Sequence, residues 1–391
     1  MPVNKLSPDI YNIGVLNPTL RVFDIVMRTE YGTTYNAYLI KDEVCALVET
    51  VHERFSQEYI SQLESQCDIS KIKYIIFNHT EPDHSGSLQR LLELNPDITV
   101  VGTLSAIKNL RSITNRDFNT LAVKTGDTLS LGKRTLKFYQ APNLHWPDSM
   151  FTYSPEDKLV FTCDFLGAHY CEEAAVDLGI KFSTYYDFAF KAYYDAIFSP
   201  FKKFVLAGLN ILEGLDFDMV CTSHGPVLTA TAIGAMQKYR EWSTPKEKQV
   251  KSAAVVYVSA YGYTMKLAHV AREVLEAQGY CVKLFDLVKT EADFEAVYDA
   301  DILLIGSPTI NRNALKPIWD FISSLDAVSI AGKRAGVFGS YGWSGEAVPT
   351  LSRRLLDLKL DVLGDGMRVI FSPSSEELAS WREYINVLIS E

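Results

Sequence analysis

The length and composition of the chain limit what it can be. It has 391 residues, 47% of them hydrophobic, and its 38 Lys and Arg against 48 Asp and Glu give a formal net charge of −10. At about 150 residues per domain, this length predicts two or three domains, each with enough apolar residues for a core, which excludes disorder. The acidic balance makes nucleic acid and anionic membranes poor partners. The sequence shows no signal-peptide pattern and no apolar run of ~20 residues, so we expect a cytoplasmic protein.

The six cysteines carry no recognisable metal or disulfide pattern. They are scattered along the sequence without any C-x-x-C pair, at positions 45, 67, 163, 171, 221 and 281. This spacing argues against a disulfide framework, a zinc ribbon and a rubredoxin-type iron site. Free cysteines are usually buried, and we therefore expect isolated thiols in the core.

The first part of the chain predicts a mixed α+β domain. Strand-like runs at residues 22–29, 34–40 and 44–49 come in succession before any helical pattern, which favours antiparallel pairing. Helices and further strands follow, and their spacing suggests two sheets with helices outside. The expected helices are 57–66 and 87–94, and the expected strands are 73–77, 135–139, 150–154 and 159–162.

The densest cluster of potential metal ligands directly follows the strand expected at 73–77. The run Asn-His-Thr-Glu-Pro-Asp-His-Ser-Gly at residues 78–86 contains four of them: His79, Glu81, Asp83 and His84. Imidazoles and carboxylates clustered at a strand end need solvent or partners, and a cation is a partner for all of them at once. A solvated turn that caps the next helix is the alternative. Three more side chains in loops or at a strand end could complete a metal site, although each alone is an ordinary loop residue: His145, Asp164 and His224.

A polar, proline-containing stretch at residues 241–252 predicts a linker, so we expect domains at residues 1–250 and 251–391. After it, buried strands expected at 253–258, 301–306 and 335–339 alternate with helical patterns, the first of them at residues 265–278. Alternating strands and helices predict a parallel, doubly wound sheet.

Loops rich in hydroxyl groups and glycine follow each of these three strands. In the first, hydroxyls, a glycine and the start of a helix can hold a phosphate, although an ordinary helix cap is the alternative. All three should meet at the carboxyl edge of the sheet, where open α/β folds bind ligands. The candidate binding residues are Ser259, Tyr261, Gly262, Tyr263, Thr264, Pro308, Thr309, Ile310, Asn311, Ser340, Tyr341, Gly342, Trp343 and Gly345.

In order and spacing, the potential metal ligands resemble the binuclear centre of the metallo-β-lactamase fold in the version found in flavodiiron proteins (A-type flavoproteins). The resemblance covers the whole chain and implies an αββα metallo-β-lactamase-like domain followed by a flavodoxin-like domain. Hydrolases of this fold usually show H-x-H-x-D-H, but Glu81 replaces the second His here. The more anionic ligand set favours iron over zinc. The family pattern places His79, Glu81 and His145 on one iron, Asp83, His84 and His224 on the other, and Asp164 between them.

The same resemblance implies roles for residues outside the ligand set. The later loops are similar to those of flavodoxin, and their aromatic side chains suit the packing of FMN. Of the pair Tyr193 and Tyr194, one lies near the irons in the family, where its phenol could donate a hydrogen bond to the gas, and the other belongs to the core. His169 is a candidate for a group beside the substrate, with a plain core or surface histidine as the alternative.

The function implied by the resemblance is reduction of dioxygen to water or of nitric oxide to nitrous oxide. FMN holds two electrons and a di-iron pair two more, which together match the four electrons that dioxygen needs. The expected donor is a rubredoxin-like protein or a reduced deazaflavin, and the expected assembly is a head-to-tail homodimer or a dimer of dimers. No appended rubredoxin or flavin reductase domain is expected before Glu391. The alternatives are a binuclear zinc hydrolase fused to a flavodoxin module, and a redox sensor or electron carrier.

Overall fold

The computed structural model describes residues 3–24, 27–245 and 249–390. The chain divides into two compact units, Met1–Pro245 and Lys246–Glu391. Within the described ranges, no helix combines the length and the apolar character needed to cross a membrane.

The first unit contains two larger sheets and two antiparallel sheets of two short strands each. Its strands are β1 (Asn4–Ser7), β2 (Ile10–Asn12), β3 (Val15–Asn17), β4 (Val22–Phe23), β5 (Met27–Arg28), β6 (Thr33–Tyr35), β7 (Tyr38–Ile40), β8 (Cys45–Val48), β9 (Ile72–Ile76), β10 (Thr99–Gly102), β11 (Asn119–Ala122), β12 (Thr128–Ser130), β13 (Thr135–Gln140), β14 (Met150–Ser154), β15 (Leu159–Cys163) and β16 (Met219–Thr222). The two small sheets pair β3 with β6 and β4 with β5.

The first sheet has the strand order β1-β2-β7-β8-β9-β10-β11 and changes from antiparallel to parallel pairing at β8. The second has the order β12-β13-β14-β15-β16, and only its last pair, β15 with β16, is parallel. Three of the strands in parallel pairs, β9, β15 and β16, lead at their carboxyl ends into segments that carry six of the seven potential metal ligands, whereas His145 follows the antiparallel strand β13.

The first unit has seven α-helices among its described residues. They are α1 (Ser56–Gln66), α2 (Pro82–Ser85), α3 (Leu88–Leu94), α4 (Leu104–Thr114), α5 (Ser183–Tyr193), α6 (Lys202–Glu213) and α7 (Ala232–Ser243). All but α2 pack on the outer faces of the two sheets: side chains of α1, α3 and α4 pack on the first sheet, and those of α5, α6 and α7 pack on the second. A third apolar layer, which includes Val48, Ile76 and Phe161, lies between the sheets. The result is the expected αββα sandwich.

The second unit is a parallel sheet with helices on both faces. Its strands are β17 (Ser252–Tyr257), β18 (Cys281–Asp286), β19 (Ile302–Gly306), β20 (Arg334–Tyr341), β21 (Asp361–Val362) and β22 (Met367–Ile370). Its helices are α8 (Tyr263–Ala277), α9 (Phe294–Asp299), α10 (Lys316–Ser323), α11 (Ala327–Ile330), α12 (Ala347–Asp357) and α13 (Ser375–Ser390). The order β18-β17-β19-β20-β21, with β22 beside β20, is the doubly wound order of flavodoxin.

Three expectations about elements need correction. The run expected at 34–40 is two strands, because β6 pairs with β3 in a separate two-stranded sheet and β7 belongs to the first sheet. The single strand expected at 22–29 is a hairpin of two short strands, β4 and β5, and its residues 25 and 26 lie outside the described residues. The expected linker begins too early, because α7 continues to Ser243, whose buried hydroxyl bonds to Tyr194. The polar composition of residues 241–252 favoured a linker, although the last turn of α7 has a buried face. Residues 246–248 of the same stretch lie outside the described residues.

Candidate functional site

The run at residues 78–86 forms a loop and one short helical turn beyond the end of β9. Glu81 occupies the position before the turn, and Pro82 is its first residue, where the fixed φ of proline suits the start of a helix. The turn holds Asp83 and His84 side by side, whereas His79 lies on the extended segment before it. The ligands of this run therefore fall into two groups, with His79 and Glu81 before the helical turn and Asp83 and His84 within it.

The remaining three candidate ligands come from loops around the second sheet. Asp164 directly follows β15, and His224 follows β16 by two residues. His145 lies in the connection between β13 and β14. The structure brings all seven candidates together, and six of them are at most 8% exposed, while the side chain of His145 is 15% exposed.

One group of three side chains forms around Glu81. Its Oε2 lies 3.2 Å from Nε2 of His79 and 3.2 Å from Nε2 of His145. The second group forms around Asp83, whose Oδ1 lies 3.3 Å from Nε2 of His84 and whose Oδ2 lies 3.1 Å from Nε2 of His224. These are the two ligand triads that the resemblance implies.

Asp164 lies between the two triads with one oxygen towards each. Its Oδ1 is 3.1 Å from Nε2 of His84 and 3.4 Å from Nε2 of His224. Its Oδ2 is 3.7 Å from Nε2 of His79 and 3.6 Å from Nε2 of His145. A carboxylate in this position can bridge two cations.

Several of these buried atoms make no hydrogen bond. Among the described residues, both carboxylate oxygens of Asp83, Nε2 of His84 and Oδ2 of Asp164 are buried without a hydrogen-bond partner, although each has an oppositely polarised neighbour within 4 Å. A buried polar atom without a partner is costly. These donor atoms converge but do not hydrogen-bond to one another, so metal ions bound between them would satisfy them. The donor set therefore fits a binuclear centre.

The charges of the cluster favour the same conclusion. Burial opposes the charged form of His84, yet the carboxylates of Asp83 and Asp164 outweigh it and raise the pKa of this imidazole to about 10. Burial also opposes the charged form of Asp164, but the surrounding imidazoles hold its pKa well below the usual range. The cluster therefore needs positive charge, which bound metal ions supply.

Two partners outside the ligand set orient the imidazoles. Oδ2 of Asp148 lies 3.3 Å from Nδ1 of His79 and accepts hydrogen bonds from the backbone and hydroxyl of Thr80 at 2.9 and 2.8 Å. Nδ1 of His224 lies 2.6 Å from the backbone oxygen of Thr34 and donates to it, which leaves Nε2 free for a metal. Sequence reasoning missed both partners, although Asp148 comes only three residues after His145.

In the second unit, the three candidate binding loops meet at the carboxyl edge of the sheet. The hydroxyls of Thr264 and Ser340 are 2.9 Å apart, and the backbone N–H of Thr309 donates to the backbone oxygen of Ser340 at 2.8 Å. The hydroxyl of Thr264 therefore links the first and third of these loops. Gly262 precedes α8 with a φ of 83°, and the first N–H groups of this helix point into the loop.

The rim of these loops carries exposed aromatic side chains. Trp343 is fully exposed and Tyr261 is 82% exposed. Large exposed rings beside a helix N-terminus match a ligand that has both an aromatic ring and a phosphate, so the loops fit FMN. A Cβ at Gly262 would meet only the end of Met265, which leaves the backbone here open to approach.

Comparisons with known proteins agree with this geometry. Residues 33–225 match the family described as ODP family beta lactamase, and residues 255–383 match flavodoxin. The chain is 47% identical over 386 residues to the flavo-diiron protein FprA2 of Clostridium acetobutylicum, covering 97% of this chain and 96% of that one. The chain belongs to the flavodiiron protein family. The expected fold class and the two expected cofactors, FMN and binuclear iron, are confirmed.

Two further relatives illustrate the breadth of this similarity. A nitric oxide reductase of Moorella thermoacetica is 36% identical over 381 residues, covering 95% of this chain and 94% of that one. The solved structure of rubredoxin oxygen:oxidoreductase from Desulfovibrio gigas has a TM-score of 0.71 at 28% identity and covers 99% of both chains. This flavodiiron protein is therefore an oxidoreductase.

The structure distinguishes the two consecutive tyrosines of this flavodiiron protein. The hydroxyl of Tyr193 donates to Oδ1 of Asp164 at 3.0 Å, whereas that of Tyr194 pairs with the hydroxyl of Ser243 at 2.8 Å. His169 lies beside the site with its Nδ1 2.9 Å from the hydroxyl of Thr33, and its ring contacts Tyr193 edge-on. Burial, and then the neighbouring His224, hold the pKa of His169 well below its ordinary value.

Asp24 is a further carboxylate at the metal centre that sequence reasoning missed. It follows β4 with a φ of 47°. Burial, together with a hydrogen bond to Glu81, raises the pKa of Asp24 to about 6. Asp24 and Glu81 are far apart in the sequence, and the residues around Asp24 form no recognisable motif. No local pattern therefore identifies Asp24 as part of the site.

Proposed function

We propose that this protein reduces dioxygen to water, nitric oxide to nitrous oxide, or both, with electrons that pass through FMN from an external donor. The position of Asp164 carries the proposal, because its two oxygens face separate ligand triads. A binuclear centre of this kind can hold two electrons next to the gas, which a single metal or a hydrolytic zinc site does not do.

The proposed ligands are the seven residues described above. His79, Glu81 and His145 would hold one iron, Asp83, His84 and His224 the other, and Asp164 would bridge them. When bound, the two irons would hold the gas and pass electrons to it. Glu81 in place of an imidazole supports iron over zinc, since carboxylate ligands suit harder cations.

The protein itself would orient the ligands and supply a hydrogen bond. Asp148 and the backbone oxygen of Thr34 fix the rings of His79 and His224, so that Nε2 of each points inward. Tyr193 holds the bridging carboxylate through Oδ1 and presents its phenol at the site. Nε2 of His169 is buried and has no hydrogen-bond partner among the described residues, which suits a group that contacts substrate.

The FMN would lie on the loops at the carboxyl edge of the second unit. The open backbone at Gly262 and the first turn of α8 support phosphate binding there, and the exposed rings of Tyr261 and Trp343 support contact with the flavin. We propose domains at residues 1–250 and 251–391, one for each cofactor. Limited proteolysis tests this boundary, because it predicts a first cut near residue 250 and an iron-containing amino-terminal fragment.

The proposed assembly is a head-to-tail homodimer, alone or paired into a dimer of dimers, in which FMN of one chain serves the irons of the other. Solvent-exposed aromatic side chains at the proposed flavin site support a partner that covers them. We propose a rubredoxin-like protein or a reduced deazaflavin as donor and the cytoplasm as location. Donor-driven FMN reduction and cell fractionation test these two points.

The decisive experiment measures metal content and gas consumption of one preparation. Purified protein should contain close to two irons and one FMN per chain. With a common donor, it should then consume dioxygen or nitric oxide at steady state, and the ratio of the two rates ranks the substrates. Two zincs after expression with ample iron would contradict the proposed centre. Iron and FMN at full occupancy, with neither gas consumed, would leave an electron carrier as the better description.

A further inference from the structure

Two of the cysteines that we expected to be isolated are neighbours in the structure. The sulfurs of Cys45 and Cys67 lie 3.7 Å apart, although the residues are 22 positions apart in the sequence. Both residues are partly buried and both are free thiols. Their sulfurs need to approach by only about 1.7 Å to reach the length of a disulfide bond.

The local backbone allows this approach. Cys45 begins β8, and the pairing of β8 with β9 shifts register between Cys45 and Ala46. Cys67 lies immediately after the end of α1, where the chain turns extended. Both cysteines therefore lie at the ends of regular elements, Cys45 as the first residue of β8 and Cys67 just after α1, and the register shift beside Cys45 marks an irregular point of the sheet.

The two segments that carry the thiols also support the metal loop at their opposite ends. Beyond β8, the backbone N–H and the hydroxyl of Thr50 donate to the backbone oxygen of His84 at 2.8 and 2.6 Å. At the start of α1, the hydroxyls of Ser56 and Ser87 are 2.8 Å apart. A bond between the cysteines would therefore join two supports of the same loop.

We propose that Cys45 and Cys67 are a site of reversible disulfide formation, and that the oxidant is a low-molecular-weight acidic disulfide such as oxidised glutathione. One thiolate attacks the oxidant, forms a mixed disulfide and releases one glutathione thiolate. The second cysteine then attacks the mixed disulfide and releases the other. The protein loses two protons and two electrons, and the oxidant becomes two molecules of the thiol.

The surroundings of Cys67 affect this reaction in two opposite ways. Burial and the neighbouring Cys45 raise its pKa to about 11, while the positive charges of Lys41 and Lys71 act in the opposite direction. Little thiolate is therefore present at neutral pH, so the attack on the oxidant is slow there and becomes faster as the pH rises. The two lysines also attract an anionic oxidant.

The test treats the intact protein with oxidised glutathione, blocks the remaining thiols and analyses a non-reduced digest by mass spectrometry. A peptide that links Cys45 with Cys67, lighter than its reduced parts by two hydrogen atoms and split by dithiothreitol, is expected. Thermal unfolding of the oxidised protein should shift upward by about 5 °C, since the bond closes a loop in the unfolded chain.

Matched variants separate this site from unspecific oxidation. Cys45→Ala and Cys67→Ala should each abolish the linked peptide and the thermal shift, whereas Cys281→Ser, which removes an exposed thiol, should keep both. The proposal is wrong if exhaustive treatment yields only mixed disulfides with glutathione or no modification at these positions. It is equally wrong if the linked peptide disappears in Cys281→Ser, because exchange through the exposed thiol would then explain it.

Discussion

The hydroxyl of Tyr193 donates a hydrogen bond of 3.0 Å to Oδ1 of Asp164, the same oxygen that lies 3.1 Å from Nε2 of His84. The next residue, Tyr194, points away into the helical layer and pairs with Ser243. A π-helical turn over Tyr194–Phe198 directly follows, and such turns often occur near functional sites. Two adjacent phenols thus have different surroundings, and substitution can separate their roles.

Replacement of Tyr193 by Phe should lower steady-state gas reduction about tenfold, since it removes one hydrogen bond at the carboxylate of Asp164. Iron content should stay at the level of the unmodified protein, because no ligand is lost. Tyr194→Phe is the control, and it should reduce stability by about 1 kcal/mol without a change in turnover. Equal turnover in the two variants would remove Tyr193 from the mechanism.

Replacement of Asp148 by Asn should weaken iron binding about 10-fold to 100-fold, because it disturbs the partner that orients His79. The measurement is iron retained after equilibration with a chelator. His52→Ala should retain iron fully, since this imidazole is not one of the seven candidate ligands and accepts a hydrogen bond from the backbone N–H of Arg54 in a 3₁₀ turn. Iron loss in both variants would indicate a general loss of folding instead.

Gly262→Val should remove FMN and leave iron bound. The side chain would occupy the open space before α8 and would force a β-branched residue to a φ of 83°. Gly279 is a matched control, because it lies beyond the other end of α8 with a φ of 82° and open space around it. Gly279→Val carries the same backbone strain, and it should keep FMN at one per chain by absorbance.

The ion pair of Arg134 and Asp157 should make stability depend on pH. Burial raises the pKa of Asp157, but hydrogen bonds from Arg134 at 2.7 and 3.1 Å and from Ser154 outweigh it and lower that pKa. Because an unfolded aspartate titrates near about 3.9, the stabilisation is complete above about pH 5 and is lost as the pH falls through the folded-state pKa.

Asp157→Asn should therefore lower the free energy of unfolding of the first unit by about 2 kcal/mol at pH 7. The free energy of unfolding of this variant should also fall less steeply between about pH 5 and pH 3 than that of the unmodified protein. Asp216→Asn removes an exposed partner of Lys158 and should leave the denaturation curve unchanged. A pH profile of Asp157→Asn that runs parallel to that of the unmodified protein would contradict the assignment.

Mixed dimers should reveal electron transfer between chains. One variant, His84→Ala with Asp164→Ala, lacks the iron site, and the other, Gly262→Val, lacks FMN. Each should be inactive alone, and subunit exchange should restore part of the activity, because one intact pair of cofactors then forms across the interface. Mixed dimers proven by size and mass that still show background turnover would refute the inter-chain route.

Features encoded by residues close together in the sequence could be predicted, whereas contacts between distant segments could not. The run at residues 78–86 holds four candidate ligands within six positions, and the flavodoxin-like loops follow short apolar runs that predict buried strands, so both were predictable. Fold class and cofactors followed from the resemblance and are confirmed.

Contacts made only by tertiary packing escaped prediction. Asp24 meets Glu81, and Cys45 meets Cys67, through elements whose approach no sequence spacing encodes. The hairpin of β4 and β5 also escaped, because a short apolar run does not show where a two-residue strand reverses. The polar surface of α7 concealed that Ser243 is buried, and the predicted linker therefore began within a helix.

The candidate ligands come from both sheets of the first unit, with His79 after β9 in one and His224 after β16 in the other. This division has a consequence for how the protein is made in the cell. Translation must proceed past residue 224, and both sheets must dock, before the last imidazole can reach its place. Metal insertion therefore follows synthesis of nearly the whole first unit, and a nascent chain that stalls earlier presents only part of the binding site.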